Sequence, residues 1–315
     1  MRMLEARRGG RTGHLLDLAL PLAGAVLAAP RPPPRTGREA RRTDRVARHL
    51  HGGAAILALA VLADSGLEHY RAMFFNRAMY VPLAASSLTL AASLHGLLDE
   101  RPLPHAARDA VYGLAAATGL VGNGFHLWNI GKRPGGFSWL NLFYGAPVGA
   151  PMALLLAGAV GLAAERVRED AAARRPRILG QPAGRLLAGL AATGLAGTSA
   201  EAALFHFRGA YHDPFMFVPV ALPPVAAALL ARAAAEPGRR RPRRLARWWL
   251  RLTALLGFAG VGFHAFGIHR NMGGWRNWSQ NILNGPPLPA PPSFTGLALA
   301  GLAALRLLEE EGRDG

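Results

Sequence analysis

Long apolar runs alternate with short polar segments along most of the chain. An apolar helix of about 20 residues crosses the roughly 30 Å hydrocarbon core of a bilayer, and the runs have about this length. We therefore predict an all-α membrane protein. Its eight transmembrane helices are expected at 50–69, 80–98, 109–128, 147–165, 186–206, 215–235, 246–266 and 293–309.

Basic residues concentrate in alternate connections between these helices. Five segments carry 24 of the 36 lysine and arginine residues: 31–48, 99–108, 166–185, 236–251 and 306–315. The other connections carry seven: Arg71, Arg77, Lys132, Arg133, Arg208, Arg270 and Arg276. Because basic loops remain on the cytoplasmic side of a bacterial inner membrane, we expect the first set and the C-terminus in the cytoplasm. The second set then faces the periplasm.

The N-terminal region does not follow this alternation. Residues 14–30 form a short apolar stretch with Asp17 and Pro21 inside it. Both weaken a simple span, so we expect an interfacial or re-entrant segment or a ninth helix. A cleaved signal peptide is the less favoured alternative, because it would export an arginine-rich linker. The predicted boundaries are 1–48 for this segment and the Pro/Arg linker, 49–170 for a first helical unit, 171–185 for a cytoplasmic linker, 186–310 for a second unit and 311–315 for the tail.

The chain resembles itself at an offset of about 137 residues. LEHYRAMFFNRAMYVP (67–82) falls on LFHFRGAYHDPFMFVP (204–219). GLVGNGFHLWNIGKRPGG (119–136) falls on GFAGVGFHAFGIHRNMGG (257–274). Each copy has an even number of helices, so both enter the membrane in the same direction. We predict two parallel four-helix repeats, related by a pseudo-twofold axis along the membrane normal.

The self-alignment places histidines at matched positions near the outer helix ends. His69 falls on His206, and His126 on His264. The other matched pairs of interest are Arg71 with Arg208, Lys132 with Arg270, Met79 with Met216, Asp64 with Glu201 and Asn141 with Asn281. We expect each repeat to bring its two histidines together, which gives two equivalent sites on one side of the membrane.

Two ligand classes suit these histidines. Haem b takes paired axial histidines, with basic residues for its propionates and small residues beside the porphyrin; the matched arginines, Lys132 and nearby glycines supply these. Copper or zinc would use the same histidines, with Met79 and Met216 as soft ligands that favour copper(I). The chain has no cysteine, which excludes thiolate sites. The histidines could also serve only as polar helix ends, with no ligand.

Two acids lie deeper in the membrane than the histidines. Asp64 and Glu201 each precede a matched histidine by five residues. Intramembrane carboxylates are costly and usually face a bundle interior or a polar cavity. We expect them to orient a histidine or relay protons, and the matched asparagines, Asn141 and Asn281, to assist at the same end; helix packing alone is the alternative.

Three functions fit these features. The first is a membrane anchor or electron-transfer subunit that serves an extracytoplasmic dehydrogenase or a quinone. The second is a transporter or channel for a small solute, protons or metal ions that uses Asp64 and Glu201, and the third is a non-catalytic scaffold. Nucleotide-binding, nucleophile-elbow and nucleic-acid-binding patterns are absent from the sequence. On the cytoplasmic side we expect His49 and His51 to be interfacial, and His95 and His105 have no matched counterparts.

The outward segments also resemble a known group of proteins. FHLWNIGKRPGGF and NMGGWRNWSQNILNGPPLPAPPSFTGLALAGLAALRLLEE are similar to segments of uncharacterised multi-pass inner-membrane proteins of GC-rich bacteria. The resemblance covers mainly the second to eighth helices. It implies a multi-pass membrane fold, and since the group has no assigned activity, no residue role follows from it.

Overall fold

The computed structural model describes residues 38–99, 105–170 and 176–311. These residues form an all-helical protein, as predicted, apart from a two-residue antiparallel ladder of Arg177–Ile178 with Gln181–Pro182. The α-helices are α1 (Arg38–Arg71), α2 (Val81–Leu98), α3 (Ala106–Gly131), α4 (Trp139–Tyr144), α5 (Gly149–Glu169), α6 (Ala183–Arg208), α7 (Val218–Ala235), α8 (Arg240–His269), α9 (Trp278–Asn284) and α10 (Pro292–Glu311). The predicted apolar segment at 14–30, residues 31–37 and 171–175 of the two linkers and residues 312–315 of the tail lie outside the described residues.

Eight of these helices are long, between 18 and 34 residues. Five described segments are long and apolar enough to cross a bilayer, and we therefore treat the protein as a helical membrane protein. They are Thr43–Arg71, Arg77–Leu98, Gly149–Glu169, Pro214–Ala235 and Arg240–His269. The remaining long helices, α3, α6 and α10, are not among these five.

The helices extend beyond the predicted spans at several ends. α1 begins at Arg38, well before residue 50, so that part of the expected Pro/Arg linker is helical. The connection between α3 and α5 contains the short helix α4, and the connection between α8 and α10 contains α9. Short 3-10 helices precede α2, α7 and α9, at Arg77–Tyr80, Pro214–Phe217 and Gly274–Asn277.

The long helices pack in two groups of four. In the first group α1 contacts α2, α2 contacts α3, α3 contacts α5, and α5 returns to α1. In the second group α6, α7, α8 and α10 make the corresponding ring. The groups meet where α1 packs on α10 and α5 packs on α6. These four helices therefore form the centre of the molecule.

Small residues allow the central helices to approach closely. A side chain at Gly53 of α1 would place its Cβ 2.8 Å from the carbonyl oxygen of Gly296 in α10, so only glycine fits there without a shift. Alanines and leucines of the four central helices fill the buried core, including Ala54, Ala157 and Leu187. Small residues at helix contacts are typical of membrane proteins, where packing rather than the hydrophobic effect drives association.

Candidate functional site

The last turns of α1 and α6 carry histidines with the same hydrogen bond. His69 Nδ1 lies 2.7 Å from the carbonyl oxygen of Met79, and His206 Nδ1 lies 2.6 Å from that of Met216. A carbonyl oxygen can only accept, so Nδ1 carries the proton in both rings. In the neutral imidazole Nε2 then has a free lone pair, as required of a metal ligand.

The histidines of α3 and α8 repeat this arrangement. His126 Nδ1 contacts the carbonyl oxygen of Pro147, and His264 Nδ1 lies 2.7 Å from that of Pro287. Their Nε2 atoms therefore also carry the lone pair. His126 lies within electrostatic range of His69, and His264 lies within electrostatic range of His206. All four rings lie at one end of the molecule, which we call the histidine end.

Asparagines fix the loops that supply the proline carbonyls. Asn141 Nδ2 donates to the carbonyl oxygens of Pro134 and Gly136, at 2.9 and 2.7 Å. At the matched position Asn281 Nδ2 donates to Met272 and Gly274, at 3.2 and 2.9 Å. Each asparagine thus folds its own loop, upstream of the carbonyl that orients a histidine.

The matched arginines cross from one half to the loop of the other. Arg71 Nη2 donates to the carbonyl oxygen of Ile282 at 3.1 Å. Arg208 lies over the rings of Phe143 and Tyr144, at 5.6 and 5.4 Å from their centroids. Each arginine therefore connects its own group of four helices to a loop of the other group.

The other basic pair at this end faces solvent or lipid. Lys132 and Arg270 are exposed and follow the last residues of α3 and α8. The Arg270 guanidinium stacks on Phe266 at 5.8 Å. Both cations are placed where an anionic group could reach them.

The two acids lie near the junction of the halves. Glu201 Oε1 accepts a hydrogen bond from the main-chain nitrogen of Gly149, 2.7 Å away, at the first residue of α5. Asp64 is half-buried on α1, within electrostatic range of Glu201, Glu68 and Arg71. Neither acid makes a hydrogen bond to a matched histidine within the described part of the chain.

The donor set limits the choice of metal. Across residues 38–99, 105–170 and 176–311, no three histidine, aspartate or glutamate side chains are grouped closely enough to hold an ion. The imidazoles hydrogen-bond to the backbone oxygens of Met79 and Met216. Structural and catalytic zinc sites take three or four protein ligands, and the Nε2 atoms of the four histidines are the nitrogens that these hydrogen bonds leave for a ligand.

A buried polar cluster lies at the opposite end of the first half. His51 Nδ1 is 2.8 Å from the Tyr112 hydroxyl, and its Nε2 is 3.0 Å from Glu165 Oε1. Arg108 Nε donates to the same carboxylate at 2.8 Å, and its Nη1 donates to Asp99 at 2.8 Å. The side chains of His51, Arg108 and Glu165 are fully buried.

Further polar groups belong to this buried cluster, which we call the ionic cluster. Arg108 Nη1 lies 3.0 Å from His95 Nδ1, and the main-chain nitrogen of His105 donates to Glu165 at 3.1 Å. Arg168, also fully buried, donates to the carbonyl oxygen of Gly96 at 2.8 Å.

The sequence interpretation missed the ionic cluster. His51 is enclosed by protein, with a residue exposure of 0%, while its expected place at the membrane interface stays a prediction. Five members of the ionic cluster, His51, Arg108, Tyr112, Glu165 and Arg168, fall on apolar residues of the second half that are buried in the core: Ala188, Ala246, Leu250, Leu305 and Leu308. The other three, His95, Asp99 and His105, fall on Arg232, Glu236 and Arg243, so the self-alignment does not mark the cluster as a whole.

Comparisons with known proteins leave the site to be interpreted from its own geometry. No family model, curated protein or solved structure matches the chain.

Proposed function

We propose that the chain is a bacterial inner-membrane protein of eight spans, arranged as two parallel repeats with the histidine end in the periplasm and the C-terminus in the cytoplasm. Support comes from the paired contacts: the histidine-to-carbonyl bonds, the asparagine-fixed loops and the crossed arginines all recur at matched positions. The charge distribution of the connections supports the orientation.

Each histidine pair, in this proposal, binds haem b, with a copper or other metal ion as the second choice. The observation that carries it is that each of the four histidines donates a hydrogen bond from Nδ1 to a carbonyl oxygen. The Nε2 lone pair of each histidine therefore stays available to a ligand, with two such histidines in each half. If haem were bound, the two histidines of each pair would hold its iron, which takes its other ligands from the porphyrin. A copper(I) ion would need a methionine sulfur from Met79 or Met216 beside the imidazoles.

The surroundings suit a porphyrin. His126 and His264 are half-buried, so part of each ring is accessible to a ligand. Arg71, Arg208, Lys132 and Arg270 are the candidates for the two propionates of each haem. Bound haem supplies one-electron chemistry, and the protein would act as a membrane anchor or electron-transfer subunit between an extracytoplasmic dehydrogenase and a quinone, without catalysis of its own.

An absorption spectrum with haem and metal analysis tests this proposal. The purified full-length protein is expected to show a Soret band and two haems per chain. His126→Ala and His264→Ala should each remove one haem. His212→Ala is the control, because this exposed histidine also bonds a carbonyl, that of Gly209 at 2.9 Å, but lies outside both pairs. A correctly folded wild-type protein with neither a Soret band nor stoichiometric metal would refute the proposal.

The second candidate function is transport of a small solute, protons or metal ions. It is favoured by the electrostatic proximity of Asp64 and Glu201 between the halves. Uptake into proteoliposomes that is abolished by Asp64→Asn or Glu201→Gln, with no chromophore bound, would establish it. A scaffold role would be indicated if neither a ligand nor uptake is found and partner complexes survive substitution of all four histidines by alanine.

A further inference from the structure

An arginine-lined cavity opens at the end of the molecule opposite the histidine end. Helices α1, α8 and α10 enclose about 370 Å³ there. Its lining includes four arginines and two leucines: Arg45, Arg247, Arg251, Arg306, Leu299 and Leu302. An adjoining cavity shares Arg247 and Arg251 and is bounded on its far side by further arginines of α8. Basic and apolar walls therefore meet in one place.

The lining carries an excess of positive charge. Glu309 is the single acid among the described lining residues, and it is paired with Arg247. Four arginines and one glutamate thus line the cavity, with His49 also in the wall. Arg251 is held over Trp248 at 5.1 Å, so its guanidinium is positioned without an acidic partner in the described part of the chain.

The cavity lies where the surface changes from basic to apolar. Above it, the first turns of α8 are rich in arginine. Below it, Leu252 and Leu255 of the same helix are 45% and 65% exposed, as expected of side chains that face lipid. Leu299 and Leu302 continue this apolar surface into the cavity. A ligand that combines an anionic head with apolar chains would contact both regions.

The matched positions of the other half carry a different charge. Arg247 and Arg251 fall on Asp109 and Gly113 of α3, and Glu309 falls on Glu169. The one matched arginine, Arg166, is paired with both of these acids. The excess of positive charge is therefore specific to the α1/α8/α10 cavity.

We propose that this cavity binds the phosphate headgroup of an anionic phospholipid, one molecule per chain. Basic pockets between transmembrane helices are suited to such headgroups. The arginines bind the phosphate oxygens, while acyl chains lie along Leu299, Leu302 and the outer face of α8. A lipid with two phosphates would occupy both adjoining cavities. This proposal is independent of any ligand at the histidine end.

Titration of the purified full-length protein with defined lipids tests the proposal. The probes are cardiolipin and phosphatidylcholine, added to protein in neutral detergent and followed by native mass spectrometry. We expect one tightly bound cardiolipin and no retained phosphatidylcholine. Arg251→Gln combined with Arg306→Gln should weaken cardiolipin binding about 25-fold, since each basic residue near anionic lipid contributes on the order of 1 kcal/mol.

The matched control removes the same charge outside the cavity. Arg232→Gln with Arg239→Gln alters two exposed arginines at the same end that pair with Glu236, and binding should change less than about twofold. An equal loss in the control would overturn the proposal, because it would indicate unspecific attraction.

Two further measurements keep the proposal falsifiable. Leu302→Trp fills the cavity without a change of charge and should also weaken binding; unaltered binding would contradict the assigned place. Inorganic pyrophosphate that competes with cardiolipin at equal concentration would show a free-phosphate site and overturn the lipid assignment. If the double glutamine variant does not fold, the tryptophan variant decides.

Discussion

The carboxylate of Glu201 accepts a hydrogen bond from the main-chain nitrogen of Gly149, 2.7 Å away. The bond joins the two groups of helices, because the acid belongs to α6 and the glycine begins α5. The approach is so close that a Cβ on Gly149 would lie 1.4 Å from Glu201 Oε2. The acid thus satisfies an otherwise unpaired nitrogen at a helix start.

Gly149→Ala is expected to lower the melting temperature, because its methyl group collides with the Glu201 carboxylate. Overpacking of this kind costs about 1–3 kcal/mol. Gly66→Ala is the matched control in another helix, since a Cβ there meets nothing within 4 Å, and it should leave the melting temperature unchanged or raised. Gly149→Ala combined with Glu201→Ala should recover part of the loss; no recovery would assign the effect to the backbone alone.

Glu165→Leu should strongly destabilise the protein, because it leaves the buried guanidinium of Arg108 without its main partner. Removal of one member of a buried ion pair costs about 3–5 kcal/mol. The free energy of unfolding of the detergent-solubilised protein in denaturant measures this.

Arg108→Ala added to Glu165→Leu should restore a large part of that stability. The pair of substitutions copies the residues at the matched positions of the second half, Ala246 and Leu305, which are fully buried. Apolar replacement of a buried ion pair is often neutral or stabilising. If the double variant is less stable than Glu165→Leu alone, the ionic cluster is required for this half to fold.

Asn141→Ala and Asn281→Ala should have parallel local effects. Each removes two hydrogen bonds to loop carbonyls, at about 1 kcal/mol per bond. Hydrogen exchange should rise in residues 131–145 for the first variant and in 271–285 for the second. Asn284→Ala is the control, because its amide bonds only Gln280. Increased exchange in both loops from one variant would contradict separate loop structures.

Single cysteines test the topology directly, because the chain has none of its own. Met73, Leu179 and Met272 are 85%, 92% and 91% exposed. With eight spans, a membrane-impermeant maleimide added to intact cells should label Met73→Cys and Met272→Cys but not Leu179→Cys. If only the five most apolar segments span the membrane, all three cysteines lie on one side and label alike.

The positions of the long helices could be predicted from the sequence, because a run of apolar residues long enough to cross a bilayer is a local signal. The pairing of His69 with His126 stays a prediction, drawn from the repeat of their context in the second half. The ionic cluster could not be predicted, because Arg108 and Glu165 are 57 positions apart and look like ordinary flanking charges of two spans. Hydropathy cannot distinguish a charge that faces water from one that faces a partner.

The contact of Arg71 was equally inaccessible, since its acceptor, Ile282, is 211 positions away. Nothing local in either segment indicates the other. Only the assembled helices bring an arginine of one half to a loop of the other, and its direction depends on how α1 packs on α10.

The crossed arginines have a mechanical consequence. The loop that accepts from Arg71, at Ile282 and Gly285, continues within two residues to Pro287, whose carbonyl orients His264. On the other side Arg208 rests on Phe143 and Tyr144, just before Pro147, which orients His126. A displacement of the loop at 282–287, or of the loop at 143–147, would therefore disturb a contact with an arginine of the opposite half. The carbonyl oxygens that orient His126 and His264 therefore each lie within a few residues of a contact made by an arginine of the opposite half.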